Sequence, residues 1–96
     1  MMGRIRVEEC GRQTLVEISS EPITIGRDPV SRIVIEDRLA SRQHGRFFWD
    51  EDSLVYEDLG SSNGSMFDGE KVERVVISNG ASICIGDARL TVELAE

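Results

Sequence analysis

Apolar residues recur at every second position in one segment after another: Ile5 and Val7, Leu15, Ile23 and Ile25, Ile33 and Ile35, Ile83 and Ile85, and Leu90, Val92 and Leu94. A strand sends successive side chains to opposite faces, so this period predicts half-buried strands, and no stretch shows the spacing of an amphipathic helix. Between the runs lie Cys10-Gly11, Asp50-Glu51-Asp52, Asn63-Gly64, Asp68-Gly69, Asn79-Gly80 and Gly86-Asp87. Such residues supply the positive backbone dihedrals of tight hairpins. Short strands with turns every eight to twelve residues or so predict an all-β sandwich of two antiparallel sheets, its loops gathered at the two ends. In His44-Gly45-Arg46-Phe47-Phe48-Trp49 the alternation sends Gly45, Phe47 and Trp49 toward the core and Phe48 outward. Trp49 is expected to pack; an outward Phe48 marks plain surface or a contact with a partner or second copy.

Composition limits what this sandwich can be. The chain has 96 residues, 40% hydrophobic and 30% charged, which is room for one core, so residues 1–96 are expected to form a single domain. Neither a linker nor an internal repeat is visible. No apolar run is long enough to span a bilayer, and the opening Met1-Met2-Gly3-Arg4-Ile5-Arg6 lacks a signal-peptide core. The expectation is a cytoplasmic protein with no membrane partner. Cys10 and Cys84 are far apart and have no Cys or His neighbour at metal-ligand spacing, so both are read as small apolar packing residues.

Eighteen acidic against eleven basic residues give a formal charge of −7, which argues against a nucleic-acid partner tracked over a broad basic face. A single phosphate is not excluded. Exposed charges beyond a Debye length of ~8 Å are largely screened, whereas a unit pair at ~4 Å with an effective dielectric near 20 is worth about 4 kcal/mol before desolvation. Local arginines therefore decide, and Arg27, Arg32, Arg38 and Arg42 fall close together in sequence.

Three short pieces carry the candidate chemistry: Gly26-Arg27, Ser41-Arg42-Gln43-His44, and Asp58-Leu59-Gly60-Ser61-Ser62-Asn63-Gly64-Ser65. Each sets arginine or small polar side chains in a turn between strands. An arginine fork, serine hydroxyls and the exposed amides of an Asn-Gly turn are the donors that an anion with several acceptor oxygens needs. Enzyme chemistry fits less well. Ser41 and His44 suggest a nucleophile and base, but no orienting third group or oxyanion site accompanies them, and the histidine sits at a strand edge among apolar neighbours. The glycine loop lacks the Gly-Lys-Ser/Thr ending of a nucleotide-binding loop. Glu57 and Asp58 are adjacent, so on a strand they face opposite ways. No catalytic residue, metal site or cofactor is expected.

In order and spacing, Gly26-Arg27, Ser41-x-x-His44 and Asp58-Leu59-x-Ser61-x-Asn63-Gly64 followed by a hydroxyl residue resemble the forkhead-associated (FHA) domain. Ile33-Val34-Ile35 falls where that family has a short strand, and Val76 to Gly86 resembles its late hairpin, so the likeness covers Arg4 to Leu94. The resemblance implies an FHA-like (SMAD/FHA) sandwich of about eleven strands that binds phosphothreonine-containing peptides or proteins in signalling without catalysis. On that basis Arg27, Ser41 and Arg42 meet the phosphate, Ser62 meets the phosphate or the peptide backbone, and Asn63 bonds the peptide main chain. Gly26, His44 and Gly64 support the site, His44 as a buried tie between loops.

Ala40 stands where the family has a larger aliphatic residue, and Ser62 and Ser65 stand where threonine is common. Leu39 and Ser65-Met66-Phe67 are candidate contacts to the residue three after the phosphothreonine. Phe48, the acidic surface and the altered loop residues support a second reading, a phosphate-independent interaction or dimerisation domain of the same fold. Such modules occur within larger signalling proteins and as small free-standing proteins. The partner, its kinase and the oligomeric state have no signature in the chain.

Overall fold

Each alternating run becomes a strand in the computed structural model, which describes residues 3–95. Met1 and Met2, part of the opening segment read above, and Glu96 lie outside the described residues. The strands are β1 (Gly3–Glu9), β2 (Arg12–Ile18), β3 (Ile23–Gly26), β4 (Ile33–Val34), β5 (Gly45–Asp50), β6 (Ser53–Asp58), β7 (Ser65–Phe67), β8 (Glu70–Val72), β9 (Arg74–Ile77), β10 (Ser82–Ile85) and β11 (Ala88–Leu94). One sheet runs β2-β1-β11-β10-β7-β8 and the other β4-β3-β5-β6-β9. Among the described residues no helix is long and apolar enough to cross a membrane.

The inner faces of the two sheets meet in one core, where Ile5, Ile25, Phe47, Leu54, Tyr56, Ile83, Ile85, Leu90 and Val92 are almost wholly buried. Phe47 and Tyr56 pair edge to face across β5 and β6, ring centroids 5.0 Å apart, a favoured aromatic geometry. Trp49 packs half-buried against this core and donates its indole N–H to the Ser19 carbonyl at 2.8 Å. Phe48 points to the opposite face, where the guanidinium carbons of Arg46 and Arg74 lie 4.5 and 5.2 Å from its ring centre.

Three expectations need correction. The sheets are antiparallel except at β3 and β4, which run parallel with Ile25 opposite Ile33 and Gly26 opposite Val34. The intervening loop brings the chain back alongside β3 for only two residues, so no long crossover is required. On β2 the buried residues are Val16 and Ile18, while Leu15 is 53% exposed. Val16 lies opposite Ile5 and Leu15 opposite Arg6, so the pairing with β1 sets the phase and puts Leu15 outside. The cysteines are not core residues. Cys10 is exposed in the β1–β2 turn at φ 52°, beside Gly11 at 76°. Cys84, half-buried, alternates with the buried Ile83 and Ile85 and so faces outward.

Pairing Ile25 with Gly45 and Gly45 with Asp58 aligns the ends of β3, β5 and β6, so the loops 27–32, 35–44 and 59–64 emerge at one end of the sandwich. Gly45 is central to this alignment, because a Cβ there would collide with the Tyr56 phenol. Overpacking of this kind costs about 1–3 kcal/mol. Gly45→Ala should lower the unfolding free energy by about that much in a urea titration, and an unchanged midpoint would contradict the packing described.

Candidate functional site

The first two loops are laced together by main chain. Arg27 and Asp28 donate their amides to the carbonyls of Ser41 and Arg42 at 3.0 and 3.2 Å, and His44 donates its own to Ile25. Gly26 makes this approach feasible, since a Cβ at that position would strike the Arg42 carbonyl. The Arg27 Nε–H donates to the Ala40 carbonyl at 2.6 Å. That bond aims the guanidinium along the second loop, and its terminal nitrogens form no ion pair among the described residues.

His44 joins the second loop to the third. Its ring is fully buried; Nδ1 accepts the Ser41 amide at 3.0 Å, and Nε2 lies 2.9 Å from the Gly64 carbonyl. Because Nδ1 is an acceptor, the ring proton sits on Nε2 and is donated to Gly64. Gly64, at φ 85°, turns its carbonyl inward in a conformation that costs glycine little. The Ser41 Oγ accepts the Ser62 amide at 3.0 Å, which leaves the serine's own hydroxyl proton free to be donated outward. Asn63 donates its side-chain amide to the Leu39 carbonyl at 3.0 Å, and its side-chain oxygen remains an acceptor.

Beneath the third loop, the Asp58 carboxylate gathers the turn. Oδ1 accepts the amides of Gly60 and Ser61 at 2.9 and 2.8 Å, while Oδ2 accepts the hydroxyls of Ser61 and Ser65 at 2.6 and 2.7 Å. The Ser61 Oγ in turn accepts the Gly64 amide, and the Ser65 Oγ lies 2.6 Å from the Tyr56 hydroxyl. Burial pushes the Asp58 pKa upward, but the hydroxyls of Ser61 and Ser65 and the Ser61 amide outweigh it, so the carboxyl is held below its ordinary 3.8. Burial drives the Tyr56 phenol the other way, well above its ordinary value.

Two further carboxylates, Glu9 and Asp37, brace the second loop from outside. Glu9, at the end of β1, accepts the amides of Glu36 and Asp37, and Asp37 accepts those of Leu39 and Asp87. The amides of Asp87 and Leu39 also hold the Asp37 carboxyl below its ordinary pKa.

All five predicted contact residues, Arg27, Ser41, Arg42, Ser62 and Asn63, stand on these interlocked loops. The predicted supports Gly26, His44 and Gly64 occupy the joints between them. Asp28 sets a carboxylate beside Arg42, its Oδ2 3.7 Å from Arg42 Nη2. With the Arg42 side chain 76% exposed, such a pair is worth little in water and leaves the guanidinium available.

Ser65 is displaced from its expected role: wholly buried on Asp58 and Tyr56, it cannot touch a ligand, whereas Leu39 is 51% exposed. The residues to which the sequence reading gave no part in holding the loops are Asp58, Tyr56, Glu9 and Asp37. Asp58 carried a usable signal, an aspartate two and three residues before Gly60 and Ser61, the pattern of a side chain capping its own turn. Glu9 carried none, since its bonds reach 27 and 28 residues along the chain.

A family model for the FHA domain matches residues 23–86. Among curated proteins, the glycogen accumulation regulator GarA of Mycobacterium tuberculosis is 37% identical over 65 residues, 68% of this chain and 40% of that protein. The oxoglutarate dehydrogenase inhibitor of Corynebacterium jeikeium is 37% identical over 73 residues, 76% of this chain and 51% of that protein. The chain thus spans about half or less of these relatives' length. The FHA domain of the CT664 protein from Chlamydia trachomatis superposes with a TM-score of 0.90 at 26% identity, covering 100% of both chains. M. tuberculosis EmbR, solved in complex with a low-affinity phosphopeptide, superposes at 0.82 and 26% identity over 96% of this chain and 24% of its own.

The lowered pKa of Asp58 fixes the sign of a pH effect. The unfolded chain takes up this proton near 3.8 and the folded chain only at lower pH, so the stabilisation is present above that range and fades as pH falls through it. Asp58→Asn should cost about 1–3 kcal/mol at neutral pH and flatten the acid limb of stability against pH. Parallel acid limbs for the variant and the parent chain would contradict this role.

Proposed function

The chain belongs to the FHA-domain family, and we propose that it recognises phosphothreonine-containing peptides or proteins through the loops 27–32, 35–44 and 59–64, without acting on them chemically. The observation that carries this reading is the convergence of Arg27, Ser41 and Ser62 in one hydrogen-bonded set whose outward donors are uncommitted. A phosphothreonine brings about −1.5 to −2 charges and three acceptor oxygens. The Arg27 and Arg42 guanidinium groups supply charge-assisted bonds, the Ser41 and Ser62 hydroxyls add neutral donors, and Asn63 is left to bond the ligand's main chain. A carboxylate, with fewer oxygens and less charge, is a poor mimic.

Supporting a binding role over catalysis is the environment of His44. Its Nδ1 is engaged by the amide of Ser41 and its ring is wholly buried, so it has no lone pair with which to take a proton from the Ser41 hydroxyl. No group of three or more metal-ligating side chains occurs among the described residues. The proposal takes residues 1–96 as a single module, and two free cysteines, one of them exposed, are in keeping with a reducing, cytoplasmic setting.

Paired threonine peptides, phosphorylated and not, test the reading by fluorescence anisotropy. The phosphorylated member should bind selectively, and Arg27→Ala or Ser41→Ala should each weaken it by about tenfold or more, the effect of losing one charge-assisted or buried hydrogen bond. Equal binding of the two peptides would overturn the proposal.

A further inference from the structure

A cavity of about 190 Å³ opens beside the phosphate loops. Its floor is the ends of β3 and β5 at Ile25 and Gly45; Val30, Gln43 and Leu59, one from each loop, form its walls, and Asp28 stands at the rim. Val30 is 85% exposed and Leu59 is 42% exposed. Single solvated apolar side chains are ordinary on a protein surface, but these two converge on one concavity. Both are held in place through main chain, the Val30 amide on Asp28 Oδ1 at 3.1 Å and the Leu59 amide on the His44 carbonyl at 2.9 Å. These bonds fix the backbone at two of the residues that line the cavity.

Volume narrows the occupant. Small-molecule sites run to roughly 300–1,000 Å³, so this smaller cavity suits one side chain. Position narrows it further. Asp28 belongs both to the cavity and to the rim of the phosphate cup through Arg42, and Gln43 directly follows Arg42. Leu39 and Gln43 stand at the two ends of the segment that carries Ser41 and Arg42, and only Gln43 lines the cavity, so the cavity and Leu39 belong to opposite ends of that segment.

We propose that this cavity is a specificity subsite that takes one aliphatic or aromatic side chain of the bound phosphopeptide, flanking the phosphothreonine on the side away from Leu39. The proposal rests on the phosphothreonine reading above. The Asp28 carboxylate at the rim disfavours an acidic residue in the same place.

The test uses labelled peptides with one phosphothreonine in an alanine-rich background, with leucine placed in turn at each nearby position on either side. Leucine at one position should raise affinity for the full chain about tenfold over alanine. The gain should vanish in Val30→Ser/Leu59→Ser, which empties the cavity wall, and in Val30→Trp, which fills the space. Both variants should still bind the all-alanine phosphopeptide in preference to its unphosphorylated form, which also shows that they are folded. A gain that survives in either folded variant, or no position at which leucine exceeds alanine, overturns the subsite while leaving phosphate recognition standing. Equal binding of the all-alanine peptide with and without its phosphate overturns phosphate recognition, and the subsite with it.

Discussion

One buried imidazole ring holds the recognition end of this protein in register. His44 accepts from the amide of Ser41 and donates to the carbonyl of Gly64, so a single rigid side chain fixes the spacing between the second and third loops. Buried polar groups are tolerated only when satisfied, and both ring nitrogens are, which makes the spacing hard to alter without leaving one of them bare. The main-chain bonds of Arg27 and Asp28 to Ser41 and Arg42 bring the first loop into the same frame. In the proposed reading Arg27, Ser41, Ser62 and Asn63 meet a common ligand on loops whose spacing is already set, and preorganisation of this kind reduces the ordering cost of binding.

A division of labour follows between what is buried and what is exposed. Asp58, Ser65 and Tyr56 commit their hydrogen bonds to one another and, through Asp58, to Gly60 and Ser61 of the third loop, whereas the side chains of Arg42, Ser62 and Asn63 are exposed to solvent. Electrostatics divides in the same way. The chain carries a net charge of −7, yet Asp58 is sequestered under the turn and Asp28 is paired with Arg42. Local geometry, with screening of the remote carboxylates, therefore governs what the loops attract.

Much of this was legible in the chain because it is written in short-range pattern. The alternation at Ile23 and Ile25, Ile83 and Ile85, and Leu90 and Val92 needed only the pleat of a strand to be read as core, and Gly26-Arg27, Ser41-x-x-His44 and Asn63-Gly64 needed only their order. The errors share a different origin. Leu15 was placed by its apolarity, but the pairing of β2 with β1 settled which face of the strand is inside. Cys10 was assigned to packing for want of a disulfide or metal partner, although Cys10-Gly11 also reads as a turn, and it occupies that turn at positive φ. The parallel pairing of β3 with β4, the burial of Ser65 and the bracing of residues 36 and 37 by Glu9 depend on contacts between distant segments, for which local spacing holds no signal.

The central claim, that three loops locked by His44 and by the main-chain bonds of Arg27 and Asp28 form one phosphate-reading surface, is tested most directly by a residue-resolved NMR titration with a phosphothreonine peptide. The account predicts amide shifts concentrated at residues 27–28, 41–43 and 61–64, and none of comparable size with the unphosphorylated peptide. Shifts centred instead on the outer sheet face around Phe48, Val55 and Val76, or identical for the two peptides, would contradict it.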